Sequence, residues 1–337
     1  MSVQSITARS QECDFDAFQI NRSDTVTSEL RRVKLDDLST GEIVVRTAFA
    51  GVNYKDALAT SDYGNVIRCF PRIGGSDGAG WVVASADPSF KEGDEVVVYG
   101  GGFGVDHDGA FSEYFRVLTD WVSKLPDNMT LLEAAALGIA GFTAALAVHL
   151  LEEAGIRPDL GKVFVNGATG AVPGMGIEML SGLGFDISAA TSKPDQAEYL
   201  RDLGANEVIG ASWIDEGKPL ERARWAAALD ALGGQGLSHL LRSIMPRGCV
   251  ASYGNVTGND VTTSVLPFIL RGIRLIGVNV TYYGDLRSVL WQRMADDLRP
   301  VRMLRDVQSI KIGALHEQIT RMLNGHTVGR TVVAFSS

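Results

Sequence analysis

The segment Lys162-Val-Phe-Val-Asn-Gly-Ala-Thr-Gly-Ala-Val-Pro-Gly-Met-Gly176 has the clearest chemistry of any stretch in this chain. A β-branched and aromatic run (Val163, Phe164, Val165) enters a loop with glycine at 167 and 170, and a helix-compatible segment leaves it. Strand, glycine turn and helix together make an anion site. Glycine lets backbone N–H groups approach a phosphate, and the helix N-terminus adds partial positive charge. The backbone of Gly167, Ala168, Thr169, Gly170, Ala171 and Val172 would cradle a dinucleotide pyrophosphate. A tight strand-to-helix turn without a ligand needs the same glycines, so the loop alone leaves both readings open.

The residues downstream of the loop narrow the choice. About 20 residues on, an acidic side chain would hold an adenine ribose 2′-hydroxyl. The next strand-like run, Phe185-Asp-Ile-Ser-Ala-Ala190, ends instead in Thr191, Ser192 and Lys193. Hydroxyls and an ammonium suit a 2′-phosphate, which takes donors and positive charge, so NADPH is expected rather than NADH. Ser192-Lys193-Pro194 also reads as the start of the following helix, and the two roles are compatible.

A chain of 337 residues is long for a single core and is expected to form two domains. An apolar fraction of 45% with 21% charged residues is that of a soluble globular enzyme. A net charge of −9 without a basic block argues against a nucleic-acid partner. The three cysteines, Cys13, Cys69 and Cys249, are scattered and lack metal or disulfide spacing, which points to a reducing, cytoplasmic setting. Met1 to Gln11 has no apolar core of the kind a secretion leader carries. The apolar stretch Ala134 to Leu151 is broken by Gly138, Gly141 and His149, so a buried helix is expected there and no membrane partner. None of the five histidines has ligand spacing to another or to a cysteine; no metal is expected, with His107 a loop residue and Asp94 a turn residue.

The elements that must position this loop alternate after Lys162. Strands are expected near 163–166, 185–190, 207–209, 227–230, 249–253 and 275–280, with helices near 174–182, 195–203 and 236–245. That alternation is the signature of a doubly wound parallel α/β sheet of the Rossmann type. Residues 1 to about 126 read as β-rich, with short strands at Gly41–Phe49, Trp81–Ala84, Glu95–Tyr99 and Phe111–Val117 between glycine turns. Thr130-Leu-Leu-Glu133 is a capping box opening a long alanine- and leucine-rich helix. Charged helices are expected at Leu286–Leu298 and Ile312–Leu323, the latter stopping at Asn324-Gly325, and a last strand at Thr331–Phe335. The expected division is 1–126, then 127–280 for the nucleotide domain, then 281–337 returning to the first domain.

Gly51-Val-Asn-Tyr-Lys-Asp-Ala-Leu58, Phe70-Pro-Arg-Ile-Gly-Gly-Ser-Asp-Gly-Ala-Gly80, Gly138-Ile-Ala-Gly-Phe-Thr-Ala-Ala145, Arg224-Trp-Ala-Ala-Ala-Leu-Asp230 and Pro267-Phe-Ile-Leu-Arg-Gly272 complete the picture. With this layout the chain resembles the medium-chain dehydrogenase/reductase superfamily, in a zinc-free branch of acryloyl-CoA reductases and quinone oxidoreductases. The resemblance implies a β-rich GroES-like barrel beside the Rossmann domain. It also implies hydride transfer from NADPH to the β-carbon of an α,β-unsaturated carbonyl compound, such as an acryloyl-CoA-like thioester. Asn53 and Tyr54 then correspond to the catalytic positions, with Asp56 orienting the turn. Thr143 and Arg330 correspond to residues that approach the nicotinamide cofactor, and Asn279 is assigned to it with them. Gly254 and Asn255, just past the fifth strand, fall at the carboxyl end of the sheet, where ligands collect. On spacing alone Tyr54 can pack in the barrel with its hydroxyl on backbone, Thr143 can back-bond a helix carbonyl, and Arg330 can be a surface residue before a strand. A homodimer paired through the sheet edge is also implied. A quinone is the alternative acceptor, and a redox-inactive NADPH sensor the alternative class.

The chain departs from the family pattern in two places. Pro173 stands where the glycine loop has a third small residue, and the first helical turn tolerates it because its N–H has no intrahelical partner. Gly277-Val-Asn-Val280 and Tyr282-Tyr283 replace the usual residues at the substrate-side loop. A CoA ester would need cations for its phosphates, and Arg68, Arg72, Arg287, Arg302 and Arg305 are the candidates.

Overall fold

The computed structural model describes residues 14–214 and 217–335. Cys13 and the segment Met1 to Gln11 lie outside the described residues. The chain divides into two compact units, Met1–Ile139 with Val307–Ser337, and Ala140–Asp306.

The first unit is β-rich. Its larger sheet contains β3 (Ile43–Gly51), β5 (Asp77–Ser85), β6 (Glu95–Tyr99), β7 (Tyr114–Val117), β8 (Val122–Lys124), β15 (Gln308–Lys311) and β16 (Thr331–Ala334). The order is β15-β16-β3-β5-β6-β8, with β7 also on β3. A smaller sheet, β2-β1-β4, is made by β1 (Phe15–Arg22), β2 (Val26–Val33) and β4 (Arg72–Ile73). β3 takes a central place because its β-branched and small residues are mostly buried, and it pairs with β5, β7 and β16. Val45, Val82, Val96, Val98, Phe103, Phe115 and Val333 fill the core between these strands. Two short helices belong here, α1 (Tyr54–Ala59) and α9 (Leu315–Leu323). α9 buries Leu315 and Ile319 and stops as the sequence predicts. Gly325 is left-handed at φ 71°, and the N–H groups of Gly325 and His326 return to the carbonyls of Met322 and Arg321.

The second unit is a six-stranded parallel sheet with helices. Its strands are β9 (Val163–Val165), β10 (Ile187–Ala190), β11 (Glu207–Ile209), β12 (Trp225–Asp230), β13 (Ile244–Ser252) and β14 (Arg274–Gly277). The order β11-β10-β9-β12-β13-β14 reverses between β9 and β12, which makes the switch point of a doubly wound sheet. All six residues of β12 are buried, as a central parallel strand covered on both faces requires. The helices are α3 (Ala171–Gly182), α4 (Ala197–Asp202), α5 (Gly234–Ser243), α6 (Leu266–Arg271), α7 (Arg287–Ala295) and α8 (Val301–Arg305).

The long helix α2 (Leu131–Glu153) starts at the predicted capping box: Thr130 N–H donates to Glu133 Oε2 at 2.9 Å and Glu133 N–H to Thr130 Oγ1 at 3.3 Å. It is interrupted at Gly138, where φ is 44° and ψ −142°. Among the described residues it is the one helix long and apolar enough to cross a membrane, and most of that stretch is buried within the protein.

The observed division falls later than the sequence boundaries at 126 and 280. Residues up to Ile139 are tied to the first unit by the side chains of Asp77 and Arg330. Residues up to Asp306 are tied to the second, where Glu178 of α3 accepts the N–H groups of Arg302 and Met303 at 2.7 and 3.0 Å. The strand expected over 275–280 ends at Gly277, because the Asn279 side chain accepts the Thr281 N–H at 3.1 Å and turns the chain into a helical turn.

Candidate functional site

In the first unit, Asn53 immediately precedes α1 and its N–H donates to Asp56 Oδ2 at 2.9 Å. The other carboxylate oxygen of Asp56 accepts the Ser76 N–H at 2.8 Å, so one side chain fixes both the helix start and the segment leading into β5. Asp56 is buried, and burial together with the neighbouring Asp77 pushes its carboxyl up to about 6. Tyr54, half-buried, is the first residue of α1, and its hydroxyl makes no hydrogen bond to the described residues. Burial, and then Tyr63, hold this phenol above its ordinary value. It is therefore protonated at neutral pH.

Behind this corner lies a buried ion pair that the sequence did not reveal. Arg330 Nη2 meets Asp77 Oδ2 at 3.3 Å, and both side chains are fully buried. Asn53 bridges the pair, donating from Nδ2 to Asp77 at 3.0 Å and accepting from Arg330 Nη1 at 2.8 Å. Its Nδ2 also reaches Ser76 Oγ at 3.2 Å. The remaining Arg330 hydrogens go to the carbonyls of Val52, Ala135 and Ala136. The resemblance assigns Arg330 to the cofactor. In the structure all its N–H groups are committed to oxygens of its own unit, leaving none for a cofactor.

In the second unit the glycine loop joins β9 to α3 as expected. Gly167 is left-handed at φ 60°, a conformation that disfavours other residues, and Gly170 is the N-cap of α3. Ala171 and Val172 open the helix, so their N–H groups have no carbonyl one turn back within it. Pro173 is the third helical residue, and Gly174 N–H closes the first turn on Gly170 at 2.9 Å. The close helix-to-strand approach is made at Gly176 instead, where a Cβ would stand 2.6 Å from Leu229 of β12.

Ala168 N–H donates to the Ala190 carbonyl at 3.0 Å, which sets the end of β10 beside the glycine loop. Thr191 is buried there and its Oγ1 accepts the Lys193 N–H at 3.1 Å; Ser192 is exposed. Burial pushes the Lys193 ammonium below its ordinary value.

A second network missed in the sequence ties the carboxyl ends of β9, β12 and β13. Asn166 donates to Asp230 Oδ1 at 2.6 Å and accepts from Ala231 N–H at 2.7 Å, while Ser252 donates to Asp230 Oδ2 at 2.8 Å. The signal was present: a polar residue directly before the loop and an acid ending an otherwise apolar strand. Gly254 passes the Ala231 carbonyl so closely that a Cβ would lie 2.2 Å from it. Asn255 is exposed and bonds Asn259, and Asn279 is exposed beyond β14. Thr143 is half-buried on α2.

Other candidates have structural partners. The ring nitrogens of His107 lie 3.0 and 2.9 Å from the carbonyls of Asp108 and Thr40, and Asp94 pairs with Lys124 at 2.8 Å. Arg72 sits on Asp108 at 3.2 Å, and Arg302 and Arg305 lie near Asp202 or Asp306. Arg68 is exposed and Arg287 half-buried.

Comparison with known proteins places these features in context. Residues 39–127 match the family described as alcohol dehydrogenase GroES-like domain, and residues 171–296 the one described as zinc-binding dehydrogenase. The chain is 40% identical over 324 residues to YhfP of Bacillus subtilis, provisionally named a quinone oxidoreductase, covering 95% of this chain and 98% of that one. The solved structure of that protein, with NAD bound, superimposes with a TM-score of 0.93 over 96% of this chain and 100% of the other. Acrylyl-CoA reductase AcuI of Ruegeria pomeroyi is 35% identical over 327 residues, 95% of this chain and 98% of the relative. The yhdH oxidoreductase of Salmonella enterica, solved in complex with NADP, is 36% identical, with a TM-score of 0.93 over 95% of this chain and 100% of that one.

Proposed function

The chain belongs to the medium-chain dehydrogenase/reductase superfamily, alongside acrylyl-CoA reductases and quinone oxidoreductase-named relatives, and from that premise we propose that it is an NADPH-dependent reductase of an activated C=C bond. An acryloyl-CoA-like thioester is the substrate class we assign, in the reducing cytoplasm. The observation that carries the reading is Tyr54: a half-buried phenol, kept protonated, with its hydroxyl uncommitted at the start of α1.

NADPH, when bound, supplies hydride to the β-carbon and leaves an enolate on the substrate. The tasks left to the protein are a hydrogen bond to the enolate oxygen and a proton for the α-carbon. In this reading the Tyr54 hydroxyl does either, and water returns its proton. The backbone of residues 167–172 would hold the pyrophosphate, and Thr191, Ser192 and Lys193 the 2′-phosphate. Thr143, Gly254, Asn255 and Asn279 would line the nicotinamide half. NADP in the Salmonella relative supports this assignment, whereas NAD in the Bacillus relative makes it one to be measured. The reading is metal-free; in its support, no three His, Cys, Asp or Glu side chains gather as a ligand set among the described residues.

The test is oxidation of NADPH by purified protein with acryloyl-CoA and, separately, a simple benzoquinone, with NADH as the control. Thioester turnover with an NADPH preference is expected. Quinone-only turnover would replace the substrate assignment, a reading the Bacillus relative's name favours. NADPH binding without turnover of either would point to an untested acceptor or to a lost activity, and a sensor would show no turnover on any acceptor.

We also read the protein as a homodimer. β14 is an edge strand, and Val265, Leu266, Ile269 and Leu270 of the neighbouring α6 region are exposed apolar side chains, as is Leu275 on β14 itself.

A further inference from the structure

The break in α2 has a specific chemical cost, and one buried ion pair meets it. In an unbroken helix the Ala135 and Ala136 carbonyls would accept the N–H groups of Ile139 and Ala140. The left-handed Gly138 interrupts that ladder. In its place Arg330 donates to the Ala135 carbonyl at 3.0 Å and the Ala136 carbonyl at 2.6 Å, and Asp77 Oδ2 accepts the Ile139 N–H at 2.8 Å. The guanidinium closes one end of the break and the carboxylate the other. The same two groups grip both ends of the Asn53 amide, the residue before Tyr54.

We infer that Asp77, Arg330 and Asn53 are positioning residues, a clamp that locks the Tyr54 corner to the break at Gly138, rather than groups that touch substrate or cofactor. The inference rests on the proposed role of Tyr54 toward the enolate. Its physical basis is that every Arg330 N–H, Asp77 Oδ2 and both ends of the Asn53 amide are spent on one another, on Ser76 and on backbone, with neither charged partner exposed. One Asp77 oxygen, Oδ1, is buried without a hydrogen bond to the described residues; Cβ atoms built on Gly51 and Gly138 would stand 2.2 and 3.1 Å from it. The two glycines bring main chain close against the carboxylate from β3 and from the break in α2.

The test uses the full-length enzyme and steady-state kinetics on whichever acceptor the wild type turns over. Asp77→Asn, Arg330→Lys and Asn53→Ala are made alone and combined with Tyr54→Phe. Each single change is expected to lower kcat by about 10- to 100-fold while KM for NADPH stays within about twofold. Added to Tyr54→Phe, none should cost much more, because the group being positioned is already gone. A tenfold rise in KM for NADPH in Arg330→Lys would make Arg330 a cofactor ligand and overturn the inference. Losses that multiply with Tyr54→Phe, or silent variants, would overturn it equally. Should the wild type reduce no acceptor, the functional reading fails alone and hydrogen exchange decides the clamp. In Asp77→Asn, faster exchange at both 53–56 and 135–140 with unchanged NADPH binding supports it, and opening at only one segment refutes it.

Discussion

Gly51 runs so close to Arg330 that a Cβ built on it would stand 1.9 Å from Nη2 and 2.2 Å from Asp77 Oδ1. Only hydrogen fits between β3 and the ion pair. Gly51→Ala should therefore drive the guanidinium from its carbonyls and leave a buried charge imperfectly paired. A loss of about 3 kcal/mol is expected. Chemical denaturation of the full chain measures it, and an unchanged midpoint would count against the tight fit.

Asp56 should make stability fall as pH rises. Its carboxyl lies at about 6 in the folded protein against an ordinary 3.8, so the fold binds this proton more tightly than the unfolded chain. The contribution is complete below 3.8 and lost as pH climbs through about 6. A rise of that size corresponds to about 3 kcal/mol. Asp56→Asn should flatten the melting temperature across this window, apart from a constant offset for the lost cap. An unaltered slope would assign the titration to another group.

Lys193→Ala tests cofactor choice. Removing an ammonium beside a 2′-phosphate should raise KM for NADPH about tenfold and leave KM for NADH nearly unchanged. Equal effects on the two cofactors would show that Lys193 supports only the turn before α4.

Ile269 is 71% exposed on α6. If copies of the chain meet across β14, Ile269→Glu places a charge in the interface. Sedimentation should then show a shift from dimer towards monomer at micromolar concentration, with cofactor binding retained. A wild-type chain that already sediments as a monomer would dispose of the dimer.

The parts of the fold that were legible in the sequence are those with a local physical cause. The glycine loop was readable because Gly167 needs a positive φ, and the start of α2 because the Thr130 and Glu133 side chains accept each other's backbone N–H across one turn. The Asp77–Arg330 pair was not, since its partners are 253 residues apart and no periodicity links them. Gly138 read only as an interruption of an apolar run within one long helix, because the groups that satisfy the break come from β5 and from the residue before β16. β1 and β2 went unseen for a different reason: β2 is mostly exposed and polar, so its sequence carries little apolar alternation. The burial of Arg330 was not legible, because its position before a strand tells nothing about it.

The discontinuity of the first unit also bears on how the protein is made. β16 and Arg330 leave the ribosome after the whole of Ala140–Asp306. The second unit is one continuous segment and can fold as soon as it emerges, while β3 waits with an unpaired edge and Asp77 with no counter-ion. During synthesis the second unit is thus complete first, and the Tyr54 corner is assembled only once Arg330 has followed it. A ribosome stalled before Arg330 would carry a nascent chain with one finished domain and one aggregation-prone strand.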